Sequence, residues 1–140
     1  MTASRAGLIR IRVLLLAGLV GFLVLNTAGA VALSGQNKKD FAVSARKYSF
    51  KITSGASELT EIRVQLDDMV TVTFSAEDIA HSFTIADPHY RIDRRAEPGK
   101  AVTIRFRADK VGSFDIRCTL TLDDRCLRDM KGTLVVEGKR

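Results

Sequence analysis

The chain has 140 residues and a mass of 15.4 kDa, with 46% apolar and 27% charged residues, which makes one domain's worth of globular rather than disordered sequence. Two cysteines are too few for a disulfide-dense scaffold. The formal charge is +6, but three of the 22 basic residues fall within positions 1–33, where no acidic residue occurs, leaving 19 basic against 16 acidic in the remainder. So mixed a balance, with 6% aromatic residues and no tryptophan, argues against a nucleic-acid partner.

The first element is apolar. Arg5, Arg10 and Arg12 precede an apolar run from Val13 to Leu25, followed by Asn26, Thr27 and the small residues Ala28-Gly29-Ala30-Val31-Ala32. A basic start, a short apolar core and an Ala-x-Ala site describe a secretory signal peptide. Continued to Leu33, the same run is long enough to span a bilayer. Positions 1–33 therefore read either as a cleaved signal or as one N-terminal hydrophobic helix that anchors the chain in a membrane through residues 13–33. Both readings place the rest of the chain in the periplasm or another extracytoplasmic space, where two cysteines can pair. Residues 34–40 (SGQNKKD) read as a polar linker and 41–140 as the folded domain.

From Phe41 onward a period of two dominates. It predicts strands near Phe41–Ala45, Tyr48–Ile52, Glu61–Leu66, Met69–Ser75, His81–Ile85, Lys100–Arg107, Ser113–Cys118 and Gly132–Glu137. Two are clearest. Val70, Val72 and Phe74 alternate with Thr71, Thr73 and Ser75, and Val102, Ile104 and Phe106 alternate with Thr103, Arg105 and Arg107, giving each strand one apolar and one solvated face. Turn signals fall between them at Ser54-Gly55, Asp67-Asp68, Pro98-Gly99 and Gly112. Only Asp123–Met130 tolerates a helix, of one or two turns. Short strands at this spacing predict an all-β sandwich or barrel.

Four soft or borderline ligand residues stand out. His81 shares a strand face with Phe83 and Ile85, and Cys118 is in phase with Phe114 and Ile116, so both point toward the core. Cys126 lies eight residues after Cys118, and Met130 four beyond that. Thiolate, thioether and imidazole together suit a single copper ion, and the sulfur-rich set favours Cu(I). Each residue also has a structural role open to it. His81 can be a hydrogen-bonded core histidine, Met130 can plug the end of the sandwich, and Cys118 and Cys126 can close a disulfide worth about 2.5 kcal/mol. His89, after Pro88, reads as a surface residue. Asp123, Asp124, Arg125 and Arg128 read as a solvated loop face or as a rim that steers a redox partner. No phosphate-binding glycine loop, HExxH helix, GxSxG elbow or CxxC pair occurs, which argues against the common enzyme chemistries.

Three segments carry a family resemblance. Glu77-Asp78-Ile79-Ala80-His81-Ser82-Phe83 resembles the Asp-x-x-His-Ser-Phe strand of the copper-binding domain of cytochrome c oxidase subunit II. Ala96-Glu97-Pro98-Gly99-Lys100 resembles that family's Ala-x-Pro-Gly-Arg/Lys turn, and Lys110-Val111-Gly112-Ser113-Phe114-Asp115-Ile116-Arg117-Cys118 its Lys-Pro-Gly-x-aromatic-x-x-x-Cys strand. The resemblance spans about residues 41–138. It implies a cupredoxin, a Greek-key β-sandwich that binds copper and moves electrons, with His81 and Cys118 as copper ligands and Met130 as a weak axial one.

The ligand loop departs from that pattern. Leu122 stands where the dinuclear family has a second cysteine, Cys126 where it has a histidine, and Met130 comes one position late; no histidine follows His89. Neither a dinuclear centre nor a His₂Cys centre is assembled by these positions, which leaves His81, Cys118, Cys126 and Met130.

Two functions follow. One is an exported or anchored copper protein that handles Cu(I) or exchanges electrons with a redox or copper-transfer partner, as a non-enzymatic accessory to a respiratory or copper-handling system. The other is a metal-free cupredoxin-like interaction module stapled by a Cys118–Cys126 disulfide.

Overall fold

The computed structural model describes residues 37–121 and 123–139. The expected signal or anchor lies outside these residues, as does Leu122. Among the described residues no helix is long and apolar enough to cross a membrane.

Among the described residues ten strands form: β1 (Lys38–Arg46), β2 (Ser49–Ser54), β3 (Ser57–Leu59), β4 (Ile62–Gln65), β5 (Met69–Ala76), β6 (His81–Ile85), β7 (Ile92–Ala96), β8 (Val102–Arg107), β9 (Gly112–Arg117) and β10 (Lys131–Glu137), with one short helix, α1 (Asp124–Asp129), before β10. They make two five-stranded sheets, in the orders β3-β2-β1-β5-β8 and β4-β10-β9-β6-β7. Most pairs are antiparallel, but β1 runs parallel to β5 and β4 parallel to β10, as the chain crosses from one sheet to the other between sequence neighbours.

The period-two pattern explains the core. Val70, Val72, Phe74 and Ala76 of β5 are buried, as are Phe41, Val43 and Ala45 of β1, Phe83 and Ile85 of β6, Phe114 and Ile116 of β9, and Leu134 and Val136 of β10. Phe74 from one sheet meets Phe83 from the other with ring centroids 5.8 Å apart, which ties the two inner faces together.

Sequence patterning missed two strands and misplaced the start of a third. β7 reads Ile-Asp-Arg-Arg-Ala, with only its end residues buried. It is the edge strand beside β6, so its middle faces water and carries charge. β3 has three residues with none buried, and only its backbone pairing with β2 makes it a strand. β1 begins at Lys38, inside the segment read as linker. Lys38, Lys39 and Asp40 are exposed, but their backbones pair in parallel with Met69, Val70 and Thr71, an interaction that leaves no hydropathy signal.

Candidate metal centre

One end of the sandwich gathers the ligand-type side chains. The segment before β6 presents Asp78, and its carboxylate is fixed from three sides. It accepts the Lys47 amide at 2.8 Å, the Ile79 amide at 2.8 Å and the His81 ring Nε2 at 2.8 Å. Partial burial pushes this carboxyl up, but those hydrogen bonds outweigh it and hold the group at about 2. The ionised oxygen in turn orients the imidazole. With Nε2 facing Asp78, Nδ1 is the ring nitrogen left to other partners.

His81 itself is fully buried, and Nδ1 has no hydrogen-bond partner. That is the exception to the rule that buried polar atoms are paired. All five residues of β6 are buried. His81, Phe83 and Ile85 face inward, while Ser82 and Thr84, on the other side, are covered by a hydroxyl cluster. Ser82 Oγ accepts the Thr119 amide at 2.8 Å and lies 3.1 Å from Thr119 Oγ1, and Thr84 Oγ1 donates to Asp93 Oδ1 at 3.0 Å. β6 and β9 share only one backbone pairing, Thr84 with Arg117. The hydroxyl contacts therefore hold the end of β9 against β6 where the ladder does not, and they set the position of Cys118. The Ser82 amide donates to Cys118 Sγ at 3.4 Å, in a buried setting.

Cys126 arrives from α1. Asp123 caps this helix, its side chain accepting the Arg125 amide at 3.0 Å. The Tyr48 hydroxyl donates to the other Asp123 oxygen at 2.7 Å, and the Arg125 guanidinium lies over the Tyr48 ring, 4.0 Å from its centroid. Arg125 also pairs with Asp129 one turn on, at 3.0 Å. The Tyr48 bond, more than any other contact, holds the Asp123 carboxyl below the usual range. Thus the charges expected on a solvated face do a local job: Asp123 and Arg125 pin α1 to the β1–β2 turn, and Cys126 is the residue the helix buries.

Cys118 and Cys126 are joined as a disulfide with a Cα–Cα distance of 5.3 Å, inside the usual range. This is the pairing the sequence left open as the alternative to metal binding. A ring nitrogen of His81 and the two sulfurs also lie within 4.8 Å of one another, all three residues buried. The cysteine pair and the candidate ligand set are therefore the same atoms. Met130 follows α1 directly and is fully buried, and its carbonyl accepts the Cys118 amide at 3.4 Å. His89 stands apart from this cluster, 44% exposed and paired with Asp109.

The donor set fits copper in the dithiol form. Two thiolates are soft ligands, an imidazole nitrogen without a competing partner also suits copper, and the carboxylate behind the histidine is the partner that metal-bound histidines usually have. The disulfide form offers no thiolate, so the two states of this site exclude one another.

No protein-family model and no curated protein sequence matches the chain. Solved structures do. A heme-copper terminal oxidase dimer contains a chain 24% identical, over 76% of this chain and 68% of that one, with a TM-score of 0.60. The mixed-disulfide intermediate between a thioredoxin-like protein and subunit II of cytochrome c oxidase matches at 16% identity, over 77% and 88%, with a TM-score of 0.59. Auracyanin A, a blue copper protein from Chloroflexus aurantiacus, matches at 17% identity, over 72% of this chain and all of that one, with a TM-score of 0.55. The fold is cupredoxin-like. In this cupredoxin-like sandwich, Asp78 is the residue that sequence reasoning passed over. It stood in the quoted motif with no role assigned, although its i, i+3 spacing before a candidate ligand histidine was the available signal.

Proposed function

We propose that this is an extracytoplasmic copper-binding protein whose reduced site, His81, Cys118 and Cys126, takes up Cu(I) for copper handling. The observation that carries the reading is a buried histidine with an unpartnered Nδ1 and with Nε2 on Asp78, one of whose ring nitrogens lies within 4.8 Å of two sulfurs. Met130, buried immediately after α1, is the candidate weak fourth ligand. Bound copper would supply a thiolate-ligated centre that keeps to the cuprous state, because a second thiolate adds negative charge and softness. The hydrophobic segment at positions 1–33 supports export or membrane anchoring. The disulfide supports a redox partner that must deliver two electrons before metal can enter, and a subunit II of the same fold is known in a mixed disulfide with a thioredoxin-like protein.

Anaerobic Cu(I) titration against a chromophoric chelator tests the reading, on the full chain first reduced with a phosphine and then left oxidised. One equivalent bound tightly by the reduced protein only is the expected result. Absence of binding in both forms removes the copper reading. A second reading, a metal-free interaction module, is favoured by the disulfide itself and by the missing loop histidine. It predicts protein isolated from its own compartment with the disulfide intact and no copper.

A further inference from the structure

The turn between β1 and β2 reaches both halves of the site. Lys47 and Tyr48 close the hairpin, with Arg46 paired to Ser49 across it. The Lys47 amide donates to Asp78 Oδ2 at 2.8 Å, and Asp78 Oδ1 meets His81 Nε2 at 2.8 Å. The Tyr48 hydroxyl donates to Asp123 Oδ2 at 2.7 Å, and Asp123 Oδ1 accepts the Arg125 amide of α1 at 3.0 Å. The two aspartates are therefore used alike. Each sets one carboxylate oxygen on the turn. The other oxygen goes to the ligand side, to the His81 ring in one case and to the helix that carries Cys126 in the other.

This arrangement leaves little slack. A two-residue turn is held by the ladder on both of its sides, so Lys47 and Tyr48 move together. Bonds to an ionised carboxylate are the stronger kind, and both aspartates are held below their ordinary value. Among the described residues, the hydrogen-bond and cation–π contacts from α1 and its N-cap to another element all fall on Tyr48, through Asp123 and through Arg125 over the ring at 4.0 Å. We propose that the Lys47–Tyr48 turn is a shared brace, which positions His81 through Asp78 and Cys126 through Asp123, so that one element sets both halves of the site. Tyr48 is then a positioning residue that acts through Asp123. The proposal rests on the reading of His81, Cys118 and Cys126 as one site.

The test reads the cysteine pair without metal. The full chain is equilibrated anaerobically in buffers of reduced and oxidised glutathione, quenched in acid, and its thiol and disulfide forms are counted by mass spectrometry. Each Cys118–Cys126 bond that forms turns one oxidised glutathione into two reduced ones, so the midpoint gives the effective concentration of one sulfur at the other. In protein folded in both forms, a loss of overall stability does not move that midpoint; a loss of local placement does.

Tyr48→Phe keeps the ring under Arg125 and removes the hydroxyl, and the effective concentration falls about tenfold. Asp123→Ser keeps a helix cap that cannot reach Tyr48, and gives a similar fall. An unchanged midpoint in either folded variant overturns the brace. Asp78→Asn, on the histidine side, lowers the effective concentration about threefold in the parent and not at all in Tyr48→Phe, where the turn is already released from α1. Additive losses, or no loss from Asp78→Asn, mean two separate anchors and overturn the sharing. Chelator competition for Cu(I) on the same reduced proteins shows about a tenfold loss in Tyr48→Phe. If the parent binds no Cu(I) while the glutathione midpoints move as stated, the copper reading fails and the brace stands. If the parent binds Cu(I) and the midpoints stay put, the brace alone fails.

Discussion

His81 and His89 bracket β6, and each sets Nε2 against an aspartate, Asp78 at 2.8 Å and Asp109 at 2.6 Å. The pairs look alike in their contact geometry and differ in everything around them. His89 is 44% exposed and packs edge-on against Tyr90 with ring centroids 5.2 Å apart. His81 is closed off from water, and Nδ1 has nothing. An unmade hydrogen bond on a buried polar atom costs about 1–3 kcal/mol. Such a cost persists where the atom has a use, and here two sulfurs stand within 4.8 Å of one of the ring nitrogens. The lesson is that a histidine–aspartate pair says little until one asks what the second ring nitrogen faces.

The largest effect tests that contrast directly. His81→Ala lowers the Cu(I) affinity of the reduced protein by more than the roughly 100-fold that loss of a ligand's supporting partner can cost, while His89→Ala leaves it within about twofold. Competition titration of the two variants reads the difference. Equal losses would mean that burial and the orphaned nitrogen do not mark the ligand.

The next effect is on stability. Replacing both Cys118 and Cys126 by serine removes a cross-link worth about 2.5 kcal/mol, seen as a fall in Tm of about 10–20 °C for a domain of this size. Removing the exposed pair at the other end, by Asp109→Ala, changes stability by less than about 1 kcal/mol. Thermal unfolding of the two variants under non-reducing conditions gives the ratio. A cysteine variant as stable as the parent would make the disulfide incidental to the fold.

Smaller again is the effect of Asp78→Asn. It keeps the shape but loses the charge that accepts the Lys47 and Ile79 amides and fixes the His81 ring. Copper affinity falls by about tenfold and stability by about 1.5 kcal/mol. A variant that loses stability but keeps full affinity would show that Asp78 anchors the loop without orienting the ligand.

How much of this was legible follows from the kind of signal each part leaves. β5 buries and β8 buries or half-buries alternate apolar residues, so their strands were plain in the sequence. β7 and the start of β1 are held by backbone pairing with charged side chains in solvent, and hydropathy cannot report that. At the site, His81 and Cys118 were in phase with core residues and could be placed by counting. The sulfur pair could only be posed as a choice between disulfide and ligand, because the distance from Cys118 to Cys126 is set by α1, whose seat depends on Tyr48 meeting Asp123 from 75 residues away. The Ser82 amide on Cys118 is a tertiary fact with no sequence trace.

The smallest effect again separates the two ends of β6. Asp67, Asp78, Asp87, Asp109 and Asp123 all have carboxyls held below their ordinary value of 3.8, Asp78 at about 2. Asp109 owes its shift chiefly to the His89 ring, whereas Asp78 is held by two backbone amides as well as by His81. A depressed folded-state value means the unfolded chain takes up protons first as pH falls. This stabilisation is therefore full above about pH 4 and is lost between about pH 4 and 2. Urea midpoints of the oxidised protein should stay flat, as far as these groups decide, from pH 6 to 5 and fall below 4. The two ends part company in salt. Raising ionic strength to about 0.5 M screens the exposed Asp109 pair and shrinks its share, while the partly buried Asp78, bonded to backbone, keeps its own. Comparing Asp78→Asn with Asp109→Asn at pH 3 and 5, in low and high salt, measures both shares. If salt erased them equally, the two ends would be electrostatically alike, and the contrast between His81 and His89 would rest on the sulfurs alone.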